Sequence, residues 1–129
     1  MDSHRWTVRL YILNVAVLIT HEIDSAYWEE WTLFGIPGGI QVFNLLNLAV
    51  VLVFLDGLRR LVQRERRGYQ FSLLLVGAGL FAVVAHSYFL AVGRPEFRLP
   101  VSLALLAATF ILSVAQGIVT LQARRDDGA

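Results

Sequence analysis

LYILNVAVLITHEIDSAYWEEW, residues 10–31, decides the fold. Its uncharged part, Leu10 to Thr20, is far short of the about 20 apolar positions that a bilayer requires. A helix here can span only by carrying His21, Glu22 and Asp24 into the membrane or its boundary. Each ionisable group costs about 2.5–3.5 kcal/mol at mid-bilayer and less near the interface. The large aliphatics from Leu10 to Ile19 return only about 0.3–0.6 kcal/mol each. Such a helix inserts poorly alone and must turn its polar groups toward neighbouring helices.

The neighbours are there. The chain has 129 residues, 57% of them hydrophobic and 16% charged, too apolar for a soluble domain of this length. The apolar residues come in four blocks, at about 6–31, 38–58, 70–92 and 99–121, each long enough to span. The expected fold is all-α: a single polytopic domain, 1–129, with four transmembrane helices in a bundle.

Charge placement orients it. All 11 basic residues are arginine. Nine of them flank the first block, join the second to the third, or follow the fourth; only Arg94 and Arg98 lie on the other side. This positive-inside bias predicts both termini and the middle loop in the cytoplasm; the all-arginine basic set, read as the mark of a GC-rich bacterial genome, gives a bacterial inner membrane as the expected location. It also accounts for the Arg59–Arg67 cluster without nucleic acid. No small-x-small site closes the first apolar run, so it is read as a retained helix rather than a cleaved signal peptide. The absence of cysteine excludes a thiol relay, a thiolate metal site and a disulfide.

Local signals sharpen the helices. Trp6 and Trp28 are placed to mark opposite interfaces of the first. Glu29 and Glu30 then read as solvated charges beyond it. Gly35-Ile36-Pro37-Gly38-Gly39 is a turn, with Pro37 suited to opening the next helix. Asp56 is expected to pair with Arg59 or Arg60, and the tail from Arg124 is expected to fray. Gly79, Ala82, Ala104 and Ala108 suit close helix packing, with Ala104 and Ala108 on the fourth helix expected to form a homodimer seam.

At about 1.5 Å rise per residue, His21, Asn44 and His86 all fall about 9–10 Å below the outer boundary, on three different helices. Asn14, His21 and Ser25 share a face of the first helix, with Asp24 on its flank. Gln41, Asn44 and Asn47 form a stripe on the second, and His86 shares a face with Gly79 and Ala82. For Asn14, Asn47 and Gln116 interhelical glue is the favoured reading. His21, Asp24 and His86 are the candidates for catalysis or metal binding, with Glu22, Ser25, Gln41, Asn44 and Asn47 lining a ligand pocket.

Three chemistries suit that set: a divalent metal on two histidines and a carboxylate, His–Asp acid/base work on a membrane-soluble substrate, or, less favoured, axial ligation of a b-type haem. His21-Glu22 does not open a His-Glu-x-x-His zinc helix, since Ser25 holds the last position. The expected function is a polar intramembrane pocket near the outer leaflet that takes a small amphipathic ligand or a metal and acts on it. A proton-coupled transporter and a purely structural membrane protein are the alternatives.

The run His21 to Trp28, with Glu30-Trp31 and Leu33 to Gln41, resembles the signature of a family of small four-helix bacterial membrane proteins of uncharacterised activity. The resemblance implies that the outer end of the first helix and the Pro-Gly-Gly turn form one unit. Small multidrug-resistance transporters are similar in length and helix number, with an essential carboxylate in the first helix. The carboxylates here sit nearer the helix end, and the arginine bias argues against dual orientation.

Overall fold

The computed structural model describes residues 1–128. It contains α1 (Ser3–Tyr27), α2 (Glu30–Leu33), α3 (Gly39–Val62), α4 (Arg66–Ala91) and α5 (Pro100–Asp126), with no strand among the described residues. The four long helices pack side by side in the order α1, α5, α4, α3 and back to α1. α1 also touches α4 across the middle, whereas α3 and α5 lie on opposite sides.

Three helices, α3, α4 and α5, are long and apolar enough to cross a membrane. At 25 residues α1 has the length, but it carries the charges that make its first apolar run so short. The side-chain distribution suits lipid on the outside. Fourteen polar residues are buried against ten hydrophobic ones, while Leu45, Leu52, Phe81, Val84, Ile111 and Ile118 point outward. A water-soluble domain of this size buries its large aliphatics. Here the interior is polar and the rind apolar, as expected where lipid replaces water and helices adhere by packing and hydrogen bonds. These features mark a membrane protein.

The middle of the interior is a closed polar network. Asn14 Nδ2 donates to Gln116 Oε1 at 2.9 Å and to Ser113 Oγ at 3.2 Å. Gln116 Nε2 donates to Ser72 Oγ at 2.9 Å, and Ser72 Oγ meets Thr120 Oγ1 at 2.8 Å. These bonds tie α1, α4 and α5 together, the role expected of Asn14 and Gln116. Small residues set the spacing. A side chain at Gly79 would strike Ser113 and Thr109 of α5, and one at Gly57 would strike Phe71 of α4 and the Tyr11 hydroxyl. Gly77 faces open space and has no such duty.

Several boundaries differ from expectation. The apolar block to residue 31 is not one helix: α1 ends at Tyr27, beside the expected Trp28, and Glu29 takes a left-handed conformation (φ 52°) that turns the chain into α2. α3 continues past Leu58 to Val62, where Asp56 pairs with both Arg59 and Arg60 at 2.8 Å. α4 starts at Arg66 rather than 70, after the short connection 63–65. The tail is helical to Asp126 instead of frayed, because Asp127 pairs with Arg64 at 3.1 Å and accepts a hydrogen bond from Tyr69.

Candidate functional site

The polar residues near the α2 end are assembled by three elements. One α-helical turn on α1 puts His21 and Ser25 on the same inward face. α4 delivers His86 opposite, so that the two Nε2 atoms lie 3.1 Å apart and the rings meet edge to face. The break at Glu29 then folds α2 back over them, setting Glu30 Oε1 3.1 Å from His86 Nε2. Ser25 Oγ stands 3.4 Å from His21 Nε2. His21, Ser25, Glu30 and His86 are all buried.

A plug seals the cluster. Phe97, in the connection between α4 and α5, adopts φ 64°, a left-handed conformation rarely taken by a bulky side chain. It is 1% exposed, with its ring 4.3 Å from that of His86, 5.8 Å from His21 and 6.3 Å from Trp28. Strain of this kind persists only where the surroundings hold it. Here the loop is bent so that an aromatic ring covers both imidazoles.

On the other side the cluster opens into a cleft of about 540 Å³ between α1, α3 and α4. His21, Glu22, Glu30 and Asn47 supply its polar lining, while the remaining walls are apolar, among them Leu18, Phe43 and Phe54. Glu22 and Asn47 both line it, and Asn47 Nδ2 donates to Phe43 O at 3.0 Å. Leu46, Val50 and Phe81 belong both to the cleft wall and to the exposed apolar surface. No arginine lines the cleft.

The structure therefore brings together His21, Ser25 and His86, with Glu22 and Asn47 across the cleft. It does not bring in Gln41 and Asn44, which are exposed on α3. The stripe they form with Asn47 spans six residues and curves away from the interior. Asp24 also stays outside the cluster, half-buried, with one carboxylate oxygen unpartnered. Its place beside the histidines is taken by Glu30, which sequence reasoning assigned to solvent. On an unbroken helix Glu30 would sit about 180° around from His21, nine residues at about 100° each. Only the turn at Glu29 reverses that, and a single glutamate in a left-handed conformation leaves no sequence signal. Phe97 was equally hidden.

His21, Glu30 and His86 each offer one ligand atom, all within 4.8 Å of one another, and so could hold a metal ion. Without one, His86 Nε2 stands within hydrogen-bonding distance of both His21 and Glu30 and can exchange a proton with either in turn. No curated protein and no solved structure matches this chain. A family model does, over residues 7–123, which runs from the second turn of α1 into the last turns of α5 and is not confined to the motif at residues 21–41: the chain belongs to a family of unknown function (DUF6713).

Proposed function

We propose that this protein is a four-span bacterial inner-membrane protein, with α1 as the fourth span and both termini cytoplasmic, whose cleft takes a small amphipathic molecule from the outer leaflet. The observation that carries the reading is the polarity gradient of the cleft. Its walls are apolar, its mouth is flanked by lipid-facing Leu46, Val50 and Phe81, and its ionisable groups are gathered around His21, Glu22 and Glu30. A pocket of this volume suits a small ligand, and a few convergent polar groups in an apolar cavity fix its orientation. The ligand's chain lies along Phe43 and Phe54 while its head reaches the histidines. There the imidazole pair can accept or return a proton. The outward-facing Ile12, Leu13, Ile19 and Ile23 support α1 as a span.

A photoreactive long-chain alcohol, cross-linked to the protein in lipid nanodiscs, tests this. Adducts are expected on Phe43, Phe54 and Ala82, and Ala82→Phe, which fills the cleft, should abolish them. Adducts spread along the exposed faces of α3 and α4 and unchanged by Ala82→Phe would overturn the reading.

A further inference from the structure

His21 and Glu30 at the head of the cleft, with His86 beside them, can be tested for more than hydrogen bonding. His86 Nε2 faces His21 Nε2 and Glu30 Oε1, each at 3.1 Å. A neutral imidazole carries one ring proton, and its other nitrogen has one lone pair. A proton on His86 Nε2 must be shared between two acceptors. A bare His86 Nε2 turns its lone pair on a carboxylate oxygen. Neither state gives both short contacts a good hydrogen bond. A cation at the centre satisfies all three lone pairs at once.

The spacing fits such an ion. Metal–nitrogen bonds of about 2.0–2.1 Å in a tetrahedral site give ligand–ligand edges of about 3.3–3.4 Å. Two edges here are 3.1 Å, and all three donors lie within 4.8 Å, so seating an ion needs shifts of tenths of an ångström on the tight edges and inward closure of the third. The charge fits as well. Glu30 is buried against His86, and no arginine lines the cleft, so a divalent ion would neutralise a carboxylate that is otherwise costly to bury. His86 Nδ1 has no partner, so its ring is oriented by packing against Phe97 rather than by an outer acceptor.

We propose that His21, Glu30 and His86 bind one divalent first-row transition-metal ion, with the fourth position open to the cleft. Two imidazoles and one carboxylate suit zinc, iron(II) or cobalt(II), whereas magnesium and calcium prefer oxygen donors. The proposal deepens the ligand-cleft reading by giving the head of the bound molecule a Lewis acid to meet. Three protein donors plus an open position is the arrangement of catalytic rather than structural metal sites.

The test uses tag-free wild-type protein in detergent, stripped with chelator and titrated with cobalt(II) and zinc(II). One ion per chain is expected, with visible cobalt bands of a four- or five-coordinate site and an X-ray absorption shell containing two imidazoles. Glu30→Gln should weaken binding by more than about 100-fold, exceeding the about 10–100-fold cost of losing an outer-shell partner. His21→Ala combined with His86→Ala should abolish it, and Asp24→Asn should retain it. Folded wild-type protein that takes up neither ion, an absorption shell without imidazole, or retention by the double variant would overturn the proposal. Should the variants fail to fold, the wild-type stoichiometry and shell still decide. Cross-linking of the long-chain alcohol, repeated on stripped protein, separates the two readings: adducts in the cleft without metal uptake sink the metal alone, and metal uptake without cleft adducts sinks the cleft alone.

Discussion

Gln116→Met is the sharpest probe of what holds the helices together. Gln116 is fully buried on α5 and makes three hydrogen bonds, from Asn14 Nδ2 at 2.9 Å and to Ser72 Oγ and Ser72 O at 2.9 and 3.3 Å. Methionine has nearly the same length and flexibility, so packing changes little and the bonds are removed almost alone. Each orphaned neighbour keeps another partner: Asn14 has Ser113, and Ser72 Oγ has Thr120. The cost should therefore be the bonds themselves and not the desolvation of stranded groups. At about 0.6 kcal/mol per interhelical bond in a membrane, three bonds give about 2 kcal/mol, or about a 20-fold shift in the unfolding equilibrium. Steric-trapping or SDS-titration unfolding in mixed micelles measures this, with exposed Gln122→Met as the control. A loss below about 0.5 kcal/mol, equal to that of the control, would refute the view that this network carries the assembly.

Other predictions concern packing, topology and association. Gly79→Ala should destabilise by about 1–3 kcal/mol, because the new methyl meets Ser113 Oγ and lies 3.2 Å from Thr109 Cγ2. Gly77→Ala, with nothing within 4 Å, should be neutral or stabilising by up to about 1 kcal/mol in the same unfolding assay. The native chain has no cysteine, so single cysteines at Glu29 and Arg94 should react with an impermeant maleimide in spheroplasts, and one at Arg67 only after lysis; the reversed pattern sinks the cytoplasmic-termini reading. Ala104 is exposed and Ala108 half-buried on α5, and leucine at both should convert a homodimer to monomer in mild detergent. Wild type that is monomeric in nanodiscs, or a double variant that stays dimeric, ends that idea.

What could be read from the sequence follows from which interactions are periodic. The long helices and their apolar faces were legible because lipid imposes about 20 apolar residues on any span. His21 and His86 were placed at one depth because rise per residue is constant along two unbroken helices. Two of the failures, Glu30 and Phe97, involve irregular backbone. The left-handed turn at Glu29 and the left-handed bend at Phe97 come from neither glycine nor proline. Each carries a side chain into the site from a connecting segment, Glu30 in one case and Phe97 itself in the other. Gln41 and Asn44 failed for a different reason. A polar stripe on a helix gives its direction only relative to itself, and these two residues near the start of α3 point outward.

The division between glue and site is visible in where hydrogen bonding is left incomplete. Asn14, Ser72, Ser113, Gln116 and Thr120 are all buried, and every one has a partner. By contrast, the buried side-chain atoms lacking a partner among the described residues are Asp24 Oδ2, Trp28 Nε1, His86 Nδ1 and Glu96 Oε2. All four lie toward the α2 end: Asp24 and His86 near the ends of α1 and α4, Trp28 just beyond α1, and Glu96 in the connection that carries Phe97. An interior built only to hold helices together would leave its polar atoms satisfied throughout, since each unmet group costs about 1–3 kcal/mol. Among the described residues, unmet hydrogen bonding is therefore gathered at the end of the bundle where His21, Glu30 and His86 converge, while the network in the middle of the interior is complete.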